Sequence, residues 1–177
     1  IVNHDLFHRF EVRSAVIKYI RSFFDAQGFM EIETPILQNQ AGGAMARTFN
    51  THHNDYDMGM VMRISLELEH KMMMAAGYNR IYEIGKNFRN EGSDPTHIQE
   101  FTMMEWYAAY ETLETNMAWT EELLRGIARD VIGKMSFKIQ DKEGNDVDVD
   151  FAGNWPRVKF GDLLRENAGI DMQNALI

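Results

Sequence analysis

The sequence predicts an α+β fold, an antiparallel sheet flanked by helices. Three observations predict it. Apolar residues recur at helical spacing early in the chain, at Val12, Val16, Ile20 and Phe23. Two strand-like segments flank residues 90–96, a connection too short to hold a crossover helix, so they pair antiparallel. A helix is thus followed by mainly antiparallel strands and then by further helices, the order of an α+β chain.

In order, residues 7–27 read as one long helix, with Ile17 and Phe24 beside the apolar stripe and Gly28 suited to its end. Residues 29–33 alternate, Met30 and Ile32 against Glu31 and Glu33, until Thr34-Pro35 stops the strand. Residues 38–57 are polar and glycine-rich: a loop with a short strand near 48–51. A strand follows at 59–64, a helix at 66–76 ended by Gly77, and a strand at 80–84 running on toward Arg89. Gly92, Ser93, Asp94 and Pro95 supply turn chemistry before a long strand at 100–110, rich in Thr, Phe, Trp and Tyr. A helix at 115–132 turns Leu123, Leu124, Ile127 and Val131 inward and closes at Gly133. Strands at Ser136–Gln140 and 146–151 flank Lys142-Glu143-Gly144-Asn145 as a hairpin, and a last helix at Phe160–Ala168 is capped by Gly169.

The 177 residues suffice for one sizeable core, and 45% hydrophobic with 25% charged residues is a soluble globular composition. No apolar run approaches the ~20 residues of a membrane span. Ile1-Val2-Asn3-His4-Asp5 has neither the basic nor the apolar region of a signal peptide, and without an initiator Met the expectation is a chain cut from something longer or one whose first residues are missing. The sequence has no cysteine, which excludes disulfides and thiolate metal sites and favours a cytosolic location. A net charge of −9 opposes a general nucleic-acid-binding field, so any such contact uses local basic groups or another module. The 13 methionines read as adaptable core packing.

Strand parity carries the chemistry. Residues two apart share a face, so Phe101, Met103, Glu105 and Tyr107 point one way and Thr102, Met104, Trp106 and Ala108 the other. The second face suits a core. The first sets a carboxylate between large flat side chains, and on the preceding strand Arg89 and Glu91 share parity. Pairing the strands presents Arg89, Glu91, Phe101, Glu105 and Tyr107 on one face. An Arg fork can neutralise a phosphate and a carboxylate together. An aromatic face stacks on a nucleobase, and a carboxylate beside a Tyr holds an ammonium. The competing reading is a solvated sheet face with an Arg–Glu pair. His52-His53 reads as structural, since adjacent residues rarely aim at one ion, and Asp146, Asp148 and Asp150 read as the solvated side of a strand. His4, His8 and His70 show no partners.

Phe88-Arg89-Asn90-Glu91-Gly92, followed by His97 and by Glu100-Phe101-Thr102-Met103-Met104-Glu105-Trp106-Tyr107, resembles motif 2 of class II aminoacyl-tRNA synthetases in its lysyl form. Residues 10–35 resemble motif 1, and motif 2 spans about 80–110. Gly42-Gly43-Ala44, His52-His53-Asn54, Arg63-Ile64 and Glu67-Leu68 follow the lysyl pattern in order, and the likeness is looser after Tyr110. The resemblance implies that residues 1–177 form part of a class II catalytic domain: an incomplete core without the anticodon-binding domain. It implies a catalytic Arg89 bridging the ATP α-phosphate and the substrate carboxylate. Glu91 would meet the adenine end, Phe101 would stack on adenine, and His97 would meet the outer phosphates. Gly43 would admit the α-amino group of lysine, and Glu67, Glu105 and Tyr107 would surround the amino acid. Two such carboxylates repel unless a cation lies between them, which a substrate ammonium supplies.

ATP as substrate, Mg²⁺, tRNA(Lys) and a homodimer built through the motif 1 helix follow from the same resemblance, with no membrane partner and a cytoplasmic location. Ile98-Gln99 stands where the family usually has Asn-Pro, and Ser65-Leu66 where Ala-Pro is common. Nothing after Phe151 resembles motif 3, with its Arg across adenine and its preceding acidic Mg²⁺ ligands, so the expectation is that these 177 residues alone are inactive. Two alternatives stand beside this reading. One is the paralogue that modifies elongation factor P; the other is a non-catalytic, dimerising nucleotide-binding fragment.

Overall fold

The first helix begins before its apolar stripe does, because Asn3 caps it: the side-chain oxygen accepts from the Leu6 N–H at 3.1 Å. In the computed structural model, which describes residues 3–172 and 174, this helix is α1 (His4–Ala26). The N-terminal Ile1 and Val2 lie outside the described residues. After α1 come β1 (Met30–Glu31), β2 (Leu37–Gln38), β3 (Asn50–His53), β4 (Met58–Met62) and α2 (Glu67–Ala75). β5 (Arg80–Phe88) and β6 (Glu100–Ala108) precede α3 (Leu113–Gly126), whose end is a π-helical turn at Ile127–Ile132. The hairpin β7 (Ser136–Gln140) and β8 (Asp146–Asp150) and the helix α4 (Phe160–Ala168) complete the chain. The fold is α+β, with mixed helices and small, mainly antiparallel sheets. The chain divides into two compact units, Ile1–Trp119 and Thr120–Ile177.

In the first unit, one sheet has the order β1-β5-β6 and another the order β2-β4-β3. β5 and β6 pair antiparallel from Arg80↔Ala108 to Phe88↔Glu100, as the short connection requires. β1 adds in parallel through Met30↔Ile81 and Glu31↔Tyr82. α1 packs on one face of this sheet: the Phe24 ring lies 5.4 Å from Tyr82 and 5.2 Å from Trp106. That face is the apolar one expected of Trp106, and Arg13 reaches Thr102 at its far end (3.0 Å).

Local departures from the sequence reading have physical causes. Gly28, at φ +76°, turns the chain so tightly that Phe29 N–H bonds back to Phe24 (3.0 Å). Phe29 then enters the core between Phe24 (5.0 Å) and Trp119 (5.4 Å), and Met30 stays exposed, so the strand shrinks to two residues. The loop at 38–57 contains β3, overlapping the short strand expected near 48–51. Thr112 starts α3 early by accepting from the Thr115 N–H (3.2 Å). Beyond it Ala128 is buried with Leu123, while Leu124, expected inward, is exposed.

The second unit centres on Arg125. Its guanidinium lies 5.6 Å from the Trp155 ring, pairs with Glu121, and donates to the carbonyls of Phe151, Ala152 and Gly153. The expected hairpin forms with Ser136↔Asp150 and Gln140↔Asp146 as its end pairs, and Asp146, Asp148 and Asp150 are exposed. Gly169, at φ +66°, ends α4.

Phe24 joins α1, β1 and the sheet, so Phe24→Ala should destabilise the first unit by about 3–5 kcal/mol in urea unfolding. The fully exposed Met45→Ala should change stability by no more than about 0.5 kcal/mol.

Candidate functional site

The other face of the β5–β6 pair is polar. From β6 it carries Phe101, Met103, Glu105 and Tyr107; the register sets Asn87 opposite Phe101, Gly85 opposite Met103, Glu83 opposite Glu105 and Ile81 opposite Tyr107. Arg89 follows just beyond β5 with the same parity as Asn87.

At one end the Arg89 guanidinium carbon lies 5.2 Å from the centre of the Phe101 ring. A cavity of about 250 Å³ opens there, lined by Arg89, Glu91, Gly92, Thr96, His97, Ile98 and Phe101. Arg89 is anchored by its backbone, which donates to Gln99 (2.8 Å), and by Nε, which donates to the Ile64 carbonyl (3.3 Å). It makes no ion pair among the described residues, so its terminal nitrogens can meet an anion. Gln99 donates to the Glu91 carbonyl (2.9 Å) and pins the two ends of the loop together. Within the loop Asp94 accepts from the Thr96 hydroxyl and N–H and from the His97 ring and N–H, at 2.6–2.9 Å. The Thr96 bonds first, and then His97, hold its pKa at about 2. His97 therefore stands at the cavity rim in a fixed orientation.

At the other end Glu105 accepts from the Tyr107 hydroxyl (3.2 Å) and the Ser65 hydroxyl (3.5 Å). Burial, then the charge and hydrogen bond of Glu105 and the charge of Glu67, push the Tyr107 hydroxyl above its ordinary pKa and keep it a donor. Ser65 also accepts from the Glu67 N–H (3.2 Å) at the start of α2. Gly43, at φ +81°, passes so close that a Cβ would sit 2.9 Å from Glu67 Cβ and from Ser65 Oγ. Only glycine fits. Glu67 is not a bare carboxylate, since Lys71 one turn later pairs with it. Gly43, Glu67, Glu105 and Tyr107 thus gather at one end of the face, and Arg89, Glu91, His97 and Phe101 at the other.

Beneath this face lies a charged network that sequence reasoning missed. Arg63, 2% exposed, pairs with Glu83 at 2.7 Å. Glu83 also accepts from Thr34 Oγ1 (2.7 Å) and lies 3.2 Å from His70 Nε2. Burial raises the Glu83 pKa, but hydrogen bonds from His70, Thr34 and Arg63 and the Arg63 charge outweigh it, leaving about 2. His70 is therefore not without a partner, as its sequence context implied; it is fully buried against β5. His8 likewise has Glu11 at 3.6 Å. The available signal was Arg63 directly after the apolar Met58–Met62 run and Glu83 among Ile81, Tyr82 and Ile84, which needs a register before it can be read. His52 faces Asp57 (3.2 Å) and the His53 ring lies tilted against Tyr56 (centroids 4.6 Å apart), and among the described residues no group of three or more His, Asp or Glu could hold a metal ion. No helix among them is long and apolar enough to cross a membrane.

Residues 1–175 match the family model "tRNA synthetases class II (D, K and N)". The chain belongs to this family. Among its relatives is a lysine–tRNA ligase of Listeria welshimeri, 42% identical over 98% of this chain and 34% of the relative. Another, from Lactococcus lactis subsp. cremoris, is 43% identical over 97% of this chain and 34% of the relative. A third, from Thermosipho melanesiensis, is 45% identical over 97% and 33%. The chain spans about a third of the length of these curated relatives. The class II match agrees with the α+β architecture and with the resemblance carried by residues 88–107.

Glu83 provides a pH test. Its folded pKa, about 2, lies below the ordinary 4.5, so the stability it lends is complete above pH 4.5 and is lost as pH falls toward 2. Urea unfolding between those pH values should show a steep acid limb in the wild type. Glu83→Gln should flatten that limb and lower stability at pH 7 by about 3–5 kcal/mol, because Arg63 is left buried and unpaired.

Proposed function

We propose that these residues belong to a lysine–tRNA ligase, and that they form the part of its site that holds lysine and one side of ATP. The observation that carries the reading is the single sheet face with a cation hole at one end, made by Glu105 and Tyr107, and an anion site at the other, made by Arg89 over Phe101. The relatives named lysine–tRNA ligase support the same substrate.

In this reading residues 10–35 are motif 1 and residues 80–110 motif 2 of a partial catalytic domain. The ε-ammonium of lysine lies against Glu105 and Tyr107, with Glu67 and Gly43 bounding the rest of the amino acid. Arg89 draws the lysine carboxylate and the α-phosphate together. A carboxylate oxygen attacks the α-phosphorus in line, the bond to the β-phosphate oxygen breaks, and pyrophosphate departs, leaving lysyl-adenylate. The terminal ribose hydroxyl of tRNA then displaces AMP. Arg89 is the catalytic residue because it faces the charge that develops in flight, while positioning does most of the remaining work. Phe101 stacks on adenine, Glu91 meets its edge and His97 meets the outer phosphates.

Magnesium is part of the family's chemistry, but no ligand set for it is found among the described residues, so no step is assigned to it. Exposed Leu6, Phe7 and Phe10 on α1 support a homodimer built on that helix. A cytoplasmic location accords with a tRNA substrate.

Lysine-dependent ATP–pyrophosphate exchange by the product of the complete reading frame tests the proposal. Exchange with lysine and not with aspartate or asparagine is expected; exchange with either of those would overturn it. Arg89→Ala should lower the rate by about a thousandfold. Phe101→Leu should raise KM for ATP about tenfold and leave KM for lysine unchanged, as loss of one stacking contact requires.

A further inference from the structure

We infer that His70 is a positioning residue for the ammonium end of the site: it fixes the ring of Tyr107, and through Tyr107 the carboxylate of Glu105. The inference rests on the lysine reading above, which gives Glu105 and Tyr107 their ligand.

His70 lies in α2 with no exposed surface, and its Nδ1 is buried without a hydrogen-bond partner. Burying an unmatched polar atom is costly, and an apolar side chain would fill the slot without that cost. The imidazole must therefore be useful through its other nitrogen and its ring. Nε2 lies 3.2 Å from Glu83 Oε2. Glu83 is ionised at neutral pH and can only accept, so Nε2 carries the proton and donates. That bond fixes the plane of the ring. The ring meets Tyr107 edge-on, with centroids 5.2 Å apart and planes at 77°, a favoured aromatic geometry. Tyr107 in turn donates to Glu105 at 3.2 Å. The contacts run from β5 through α2 to β6 and end on the carboxylate that would receive the ammonium.

The register explains why such a device is needed. Glu83 and Glu105 are direct cross-strand partners on one face. Carboxylates so placed repel each other and compete for any cation between them. Arg63, Thr34 and His70 together occupy Glu83 and hold it beneath the surface. Among the described residues Glu105 is bonded by the Tyr107 and Ser65 hydroxyls, both neutral, so its charge is left for a ligand. Two adjacent carboxylates are thereby given different tasks, and His70 touches both arrangements.

His70→Leu removes the donor and the aromatic edge while retaining bulk; His70→Gln keeps a donor that can reach Glu83. In the product of the complete reading frame, His70→Leu should raise KM for lysine about tenfold, with KM for ATP within about twofold of wild type, and His70→Gln should recover most of the loss. Unchanged lysine KM in His70→Leu, or equal rises for lysine and ATP, would overturn the inference. His70→Met serves the same comparison if His70→Leu does not fold. Carbon-13 tyrosine NMR of the same variants reads the geometry without any turnover. The Tyr107 ring signal, assigned with Tyr107→Phe, should move in His70→Leu and return toward wild type in His70→Gln, and a signal indifferent to His70 contradicts the role. Absence of lysine-dependent exchange in the wild type would instead sink the lysine reading, while the Tyr107 signal still decides whether His70 positions the ring.

Discussion

The register of β5 against β6 is the constraint on which the rest of the site depends. Nine residue pairs, from Arg80↔Ala108 to Phe88↔Glu100, decide which side chains meet α1 and which meet α2 and the ligand groups. A slip of one residue would turn Tyr82 or Trp106 away from Phe24 and drive a carboxylate into the apolar layer instead. The hydrophobic face therefore secures the polar one. Phe24, Tyr82 and Trp106 pack together on one side, and Arg89, Phe101, Glu105 and Tyr107 are aligned on the other as a consequence.

The buried Arg63–Glu83 pair does for the surrounding loops what the register does for the strands. An ion pair taken out of water is weak evidence for net stability, because desolvation offsets much of the attraction. Its value here is in specifying geometry. Arg63 donates to the Thr34 carbonyl, to Thr34 Oγ1, to the Lys86 carbonyl and to Glu83, so one side chain ties the turn after β1, the end of β4 and the middle of β5. Gly85 is required beside it, since a Cβ there would run into the Arg63 guanidinium. The segment that leaves β4 is held by the same contacts. Ile64 then receives Arg89 Nε, and Ser65 receives the Glu67 N–H and donates to Glu105. One rigid crossing thus reaches both ends of the candidate site.

Much of this was legible in the sequence, and the parts that were not share a cause. Period-two alternation on residues 100–108 placed Phe101, Glu105 and Tyr107 on one face because β6 is paired without a bulge along its whole length. The hairpin and the last helix were readable from Gly144 and Gly169, whose positive φ marks each turn. The strand read at 29–33 shortens to two residues with Met30 exposed because a tight turn at Gly28 rotates the chain after it, and alternation alone carries no phase. Leu124 was misread because neighbouring residues on a helix point about 100° apart, so with Leu123 buried Leu124 turns outward. His70 and Glu83 were missed for a deeper reason: a buried polar residue is defined by partners distant in sequence, here 13 residues apart, and single-chain patterns do not report them. Ser65, noticed only as a departure from the family pattern, turns out to touch both Glu67 and Glu105.

We propose that this sheet face recognises an amino acid by the charge at the end of its side chain. Norleucine tests it most directly, being lysine without the ε-amino group. Inhibition of lysine-dependent ATP–pyrophosphate exchange should be at least about a hundredfold weaker for norleucine than the lysine affinity measured alongside it, because Glu105 and Tyr107 would be buried against a methyl group with no cation to receive them. Norleucine competing as strongly as lysine binds would contradict the claim and reduce the Glu105–Tyr107 pair to a feature of the fold.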